Sequence, residues 1–219
     1  MLPRDEVKAR RLTQISLIVA AVNAIIAGVL TLGRSTILLE TIAAMVNFSG
    51  AASYLLLYYL QRLERPTIIR LAFLLGANLQ VALILVFFGL EPGAWIFFIL
   101  LMIVPFAILS RPQKAYITPL SLLAFALLIG SYVVFELADV SPLIPRDDAE
   151  FVVRNQISML MNLLTLSAGA ILLIRYMRNV HFEAEDILEQ EHQRSEELLL
   201  NVLPEPIAAR LKHGEQPIA

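Results

Sequence analysis

Residues Leu71–Leu90 read LAFLLGANLQVALILVFFGL, twenty consecutive positions without a charge. A helix rises about 1.5 Å per residue, so twenty residues cover the ~30 Å hydrocarbon core of a bilayer. The stretch does not alternate polar and apolar residues as a barrel strand would, and it predicts a membrane-spanning helix. The same reading extends outward to Leu12–Gly33, Pro92–Ser110, Ala115–Phe135 and Asn155–Ile174, which carry no charge, and to Ser35–Gln61, which carries only Glu40. The expected fold is an all-α membrane protein with six transmembrane helices. The first run is too long for a cleaved signal peptide and is read as a retained helix.

Composition agrees. Of 219 residues, 58% are hydrophobic and 16% are charged, where soluble domains run about 45–50% and roughly 25%. Such a chain cannot supply a polar shell, and a net charge of −2 gives no sign of nucleic-acid binding. Absence of cysteine excludes disulfides, thiolate metal sites and cysteine nucleophiles.

Lys and Arg near span ends set orientation. Arg4, Lys8, Arg10, Arg11, Arg62, Arg65, Arg70, Arg111, Lys114, Arg175 and Arg178 fall on one side, against Arg34, Arg146 and Arg154 on the other. The protein is expected to be multi-pass in the cell membrane with both termini cytoplasmic. Tyr54, Tyr58, Tyr59 and Trp95 are expected at the interfaces. Asn23, Asn47, Asn78, Gln80 and Asn162 are deep but neutral, which suits interhelical hydrogen bonding better than a transport path. Pro105 is expected to kink the fourth span. Ser49-Gly50-Ala51-Ala52-Ser53 offers a close-packing face.

On the outer side, Glu91 and Glu136 each end a span, where a rigid, partly buried position is expected. With the acidic last outer loop they are candidate ligands for a divalent cation, because hard cations take clustered oxygens; a solvated acidic rim is the plainer alternative. The three histidines (His181, His192, His213) lie in the tail outside any metalloprotease pattern, and no phosphate loop or nucleophile elbow occurs.

From Arg178 the character changes. The last 42 residues hold nine acids and four bases. Arg175–Leu203 contains no Gly or Pro and is rich in strong helix formers, so the sixth span is expected to continue as one cytosolic, coiled-coil-like helix. A heptad frame aligns Met177, Ala184, Glu191 and Leu198 in one column, and Val180, Ile187, Arg194 and Asn201 in the other. Apolar ends around polar Glu191 and Arg194 make a weak seam, suited to a transmitter that changes register. Pro204 and Pro206 end the helix. The expected organisation is an N-terminal segment 1–11, a membrane domain 12–177, a signalling helix 178–203 and a linker 204–219.

Glu191–Lys212 reads EHQRSEELLLNVLPEPIAARLK. This resembles the segment before the catalytic domain of membrane-bound class III adenylyl cyclases, where the pattern is close to SExLLxNxLPxxIAxRLK. Leu203, Pro204, Ile207 and Arg210 carry the linker part of the match. The resemblance covers about thirty residues, and the six-helix body agrees with the bacterial members in helix count. It implies a homodimer that converts ATP to cyclic AMP and pyrophosphate. The catalytic domain, with its two divalent metals (Mg or Mn), would follow this chain, which is read as truncated and inactive by itself. An extracellular or membrane ligand of unknown identity would act on the membrane domain. A guanylyl cyclase, a diguanylate cyclase, a histidine kinase and a small transporter are the alternatives.

Overall fold

The computed structural model describes residues 4–32, 38–61, 65–144 and 149–202. All regular structure among them is helical: α1 (Arg4–Leu32), α2 (Leu38–Leu60), α3 (Pro66–Phe88), α4 (Ile96–Ile108), a 3-10 helix (Arg111–Tyr116), α5 (Ile117–Tyr132), a π turn (Val133–Leu137) and α6 (Ala149–Val202). The chain divides into two compact units, Met1–Leu172 and Leu173–Ala219. In the first, α1 packs on α2, α2 on α3, and α4 on α5, with α3 touching α1, α4 and α5.

Among the described residues, five helical stretches are long and apolar enough to cross a membrane: Glu6–Leu32, Leu38–Leu60, Pro66–Phe88, Arg111–Leu137 and Val152–Asn179. The expected fourth span is shorter. Only Ile96–Ile108 is α-helical there, 13 residues, or about 20 Å against the ~30 Å of hydrocarbon. Its entry is used up by a turn, with Gly89 at φ 70° and Gly93 at φ 74°, conformations that favour glycine. At its other end Pro105 has no amide to give the Leu101 carbonyl, and α4 stops three residues later. Pro105 therefore sits in a terminal turn, where the sequence suggested a kink within a longer span. Ser121 of α5 donates to the Met102 carbonyl at 2.8 Å, tying α4 to α5 beside that proline.

The third span starts earlier than its charge-free run suggests. Pro66 occupies the first turn of α3, where its fixed φ suits the helix and its missing N–H is not needed. Helix thus includes Arg70, which is buried.

The connection after α5 is closely held. The π turn is closed by the Ala138 N–H donating to the Val133 carbonyl at 2.8 Å. The chain then crosses to α3, where the Leu143 and Ile144 amides donate to the Val86 and Phe87 carbonyls, each at 3.0 Å. These are last-turn carbonyls that have no partner inside α3. Ile144 is buried against Ala43, Phe87 and Phe88. This part of the loop is a cap and plug for α3.

Helix α6 (Ala149–Val202) has 54 residues. Its unbroken course through Arg175–Val202 matches the sequence expectation for the tail backbone.

Candidate functional site

Three groups of residues could carry function: a polar network where α1, α3 and the 3-10 helix meet, the turn at Glu91, and the tail.

The network centres on Arg70, whose side chain is 1% exposed. Its Nη2 donates to Glu6 Oε1 at 2.6 Å, and Nη1 donates to Glu6 Oε2 at 3.1 Å. Nη1 also reaches Gln113 Oε1 at 3.0 Å and Ser110 Oγ at 3.3 Å. Gln113 is itself fixed: its Nε2 donates to Thr67 Oγ1 at 2.7 Å, and its Oε1 accepts the Ser110 N–H at 3.2 Å. Bidentate pairing of guanidinium and carboxylate is the strong form of this contact, and a buried charge demands such satisfaction. Three segments far apart in the chain are held together here. Arg70 had been counted as a loop charge that sets orientation. The structure makes it an internal tie, with Glu6 as the partner that sequence reading missed. The available signal was a charge only one residue before the Leu71–Leu90 run.

Beside this network, Arg10 Nη2 donates to the Gln61 carbonyl at 2.5 Å. The Gln61 side chain is buried, and neither its Nε2 nor its Oε1 has a hydrogen-bond partner.

Within the first unit, the turn after α3 receives the N-terminal part of α6. Asn155 Nδ2 donates to Glu91 Oε2 at 3.0 Å, and Asn162 Nδ2 donates to the Pro92 carbonyl at 2.8 Å. Between them Met159 lies against Gly93, where an added Cβ would meet its Cγ at 3.1 Å. Positions 155, 159 and 162 follow the i, i+4, i+7 spacing of one helix face. Gly93→Ala must hold a side chain at φ 74° and push Met159, for about 2 kcal/mol. Thermal unfolding in detergent should fall accordingly, and an unchanged midpoint would refute this docking.

Glu91 and Glu136 lie on different elements, and both are exposed, where partial burial was expected. Among the described residues no group of three or more His, Cys, Asp or Glu is placed to hold a metal ion.

The deep amides divide. Gln80 Nε2 of α3 donates to Asn47 Oδ1 of α2 at 3.4 Å, and Tyr54 Oη donates to Gln80 Oε1 at 2.5 Å. Asn78 donates only within its helix, to the Leu74 carbonyl at 2.9 Å. Tyr54 is buried and meets Phe73 edge-on at 5.7 Å, so its ring packs between α2 and α3. Gly50 lies against the Gln80 amide, and Ala51 is buried, in keeping with a close-packing face.

In the tail, Met177, Ile187 and Leu198 are exposed, as are Glu191 and Arg194. Leu188, outside both heptad columns, is more exposed still at 74%. Arg178 stacks over Phe182 at 5.8 Å. The side chains of Val180, Ala184 and Asn201, and the linker residues Leu203, Pro204, Ile207 and Arg210, lie outside the described residues. No protein-family model and no curated protein matches the chain.

Proposed function

We propose that the chain is the membrane and signalling-helix module of a class III adenylyl cyclase, with both termini cytoplasmic and a second copy paired along the tail. The reading is carried by the Glu191–Lys212 stretch, which resembles the segment before such a catalytic domain. Helix α6 supports it, because one unbroken helix links the apolar Val152–Asn179 stretch to that segment. A continuous helix transmits a shift or rotation that a flexible linker would absorb. The exposed apolar positions Ile187, Leu188 and Leu198 give a second copy something to bury. ATP and the two divalent metals would be bound by the cyclase domain. The role of this chain would be to bring two such domains together and to bias their packing. A ligand of the membrane domain acts only if it binds two packings of the helices unequally.

The test is a fusion of residues 1–219 to a class III cyclase catalytic domain. Burial of Ile187 and Leu198 across a pair contributes about 1.5–3 kcal/mol per side chain. Changing both to Asp should cut dimerisation and cyclic-AMP formation at least about tenfold. Unchanged activity together with unchanged dimerisation would overturn the reading.

A further inference from the structure

We propose that residues 137–143 form a strap that lies in the lipid interface at the C-terminal end of α3. Leu137, Val140 and Leu143 contact acyl chains, and Asp139 and Ser141 stay among the headgroups. The proposal rests on the membrane-spanning character of the helices and not on the cyclase reading. The first observation is depth. The Leu143 and Ile144 amides donate to the Val86 and Phe87 carbonyls, each at 3.0 Å. These carbonyls belong to the last turn of α3 and lie four and three residues before the end of the charge-free Leu71–Leu90 run. The strap therefore meets α3 where its apolar run ends and hydrocarbon gives way to headgroups. Ile144, buried against Ala43, Phe87 and Phe88, pins the chain at that level.

The second observation is the backbone. Beyond the π turn the chain is not helical, and such backbone enters a medium of low polarity only with its N–H groups paired. Here they are paired inside the protein. The Ala138 N–H donates to the Val133 carbonyl at 2.8 Å, and the Val140 N–H donates to the Val134 carbonyl at 3.1 Å. Pro142 has no N–H to satisfy, and Leu143 and Ile144 are bonded to α3. From 138 to 144 this leaves the amides of Asp139 and Ser141, the two residues with polar side chains. A loop in water finds such partners in the solvent and needs no pairing of this kind.

The third observation is the side chains. Leu137 is 70% exposed, Val140 48% and Leu143 49%, so the strap leaves large apolar groups uncovered by protein. Tyr132, near the end of α5, is exposed as well, and tyrosine suits the membrane–water boundary. The carboxylates of Glu136 and Asp139 are exposed and keep the strap out of the hydrocarbon centre. Apolar side chains in the acyl boundary with charges left in water are the marks of an interfacial segment.

The experiment places the whole chain in nanodiscs of dioleoylphosphatidylcholine, which leave both membrane faces open to solvent. The chain has one tryptophan, so Trp95→Phe gives a tryptophan-free background. In it Val140→Trp reports on the strap, and Gln193→Trp, at an exposed tail position, reports on water. Tryptophan emission is read with lipids brominated on their acyl chains and, separately, with aqueous iodide. Brominated lipid should quench Val140→Trp at least about twofold more than Gln193→Trp, since interfacial side chains reach roughly 5–10 Å into the headgroup–acyl boundary. Iodide should give the reverse order. Leu137→Trp should behave as Val140→Trp does, and it keeps the result readable if that variant folds poorly. Iodide quenching of the strap equal to that of Gln193→Trp would overturn the proposal by placing the strap in water. Protection from both quenchers would overturn it too, because protein, a second copy or another partner, would then cover the strap.

Discussion

Glu6→Ala should cost about 3 kcal/mol of stability. Removing one member of a buried ion pair strands the other charge, and such losses run about 3–5 kcal/mol. Glu6 is 15% exposed and Arg70 is 1% exposed, so some water reaches the pair and the lower end applies. Ser110 and Gln113 would remain near Arg70 as neutral acceptors, but neither supplies a charge. The informative companion is Glu6→Ala with Arg70→Met. Replacing both members of a buried pair by apolar side chains is often close to neutral. Gln113 keeps Thr67 and the Ser110 amide as partners in that background. The double variant should recover most of the loss in a denaturation series at fixed detergent. If Glu6→Ala is silent, or if the double variant is as unstable as the single one, the pair does not hold α1 to α3.

This pair also marks where sequence reading stops. The apolar spans were legible because hydrocarbon forbids charge over twenty residues, and Leu71–Leu90 or Asn155–Ile174 satisfy that without help from the rest of the chain. Arg70 looked like a loop cation because its partner stands 64 residues away, and no local pattern connects the two. The same holds for Leu143 and Ile144. Their value is to fill the carbonyl ends of α3, and nothing in their own neighbourhood signals that. The shortened α4 was partly legible in Pro105 and in the glycines before it. A hydropathy window counts apolar residues and does not ask whether their backbone is helical. In the tail, composition and the lack of Gly or Pro gave the helix. An apolar seam was not legible there, since Leu188, outside both heptad columns, is an exposed apolar side chain as Ile187 and Leu198 within them are.

The second large effect tests the α2–α3 contact through one substitution at two glycines. Alanine is better than glycine in a helix by about 1 kcal/mol, so Gly→Ala stabilises wherever the new methyl has room. At Gly76 of α3 an added Cβ meets nothing within 4 Å, and Gly76→Ala should be neutral or a gain of up to about 1 kcal/mol. At Gly50 of α2 the Cβ would come within 3.0 Å of the Gln80 side-chain amide. An unrestrained glutamine would swing aside cheaply. Gln80 is restrained, since its Oε1 accepts from Tyr54 and its Nε2 donates to Asn47. Moving it strands the buried Tyr54 hydroxyl, which costs about 1–3 kcal/mol, and overpacking adds about 1–3 kcal/mol. After the helix-propensity gain, Gly50→Ala should lose about 2 kcal/mol net. In a Tyr54→Phe, Gln80→Ala background neither the clash nor the stranded hydroxyl exists, and Gly50→Ala should there take the sign seen at Gly76. A loss at Gly50 that persists in that background would move the cause away from Gln80. A gain at Gly50 in the parent would mean that α2 and α3 do not approach through this glycine.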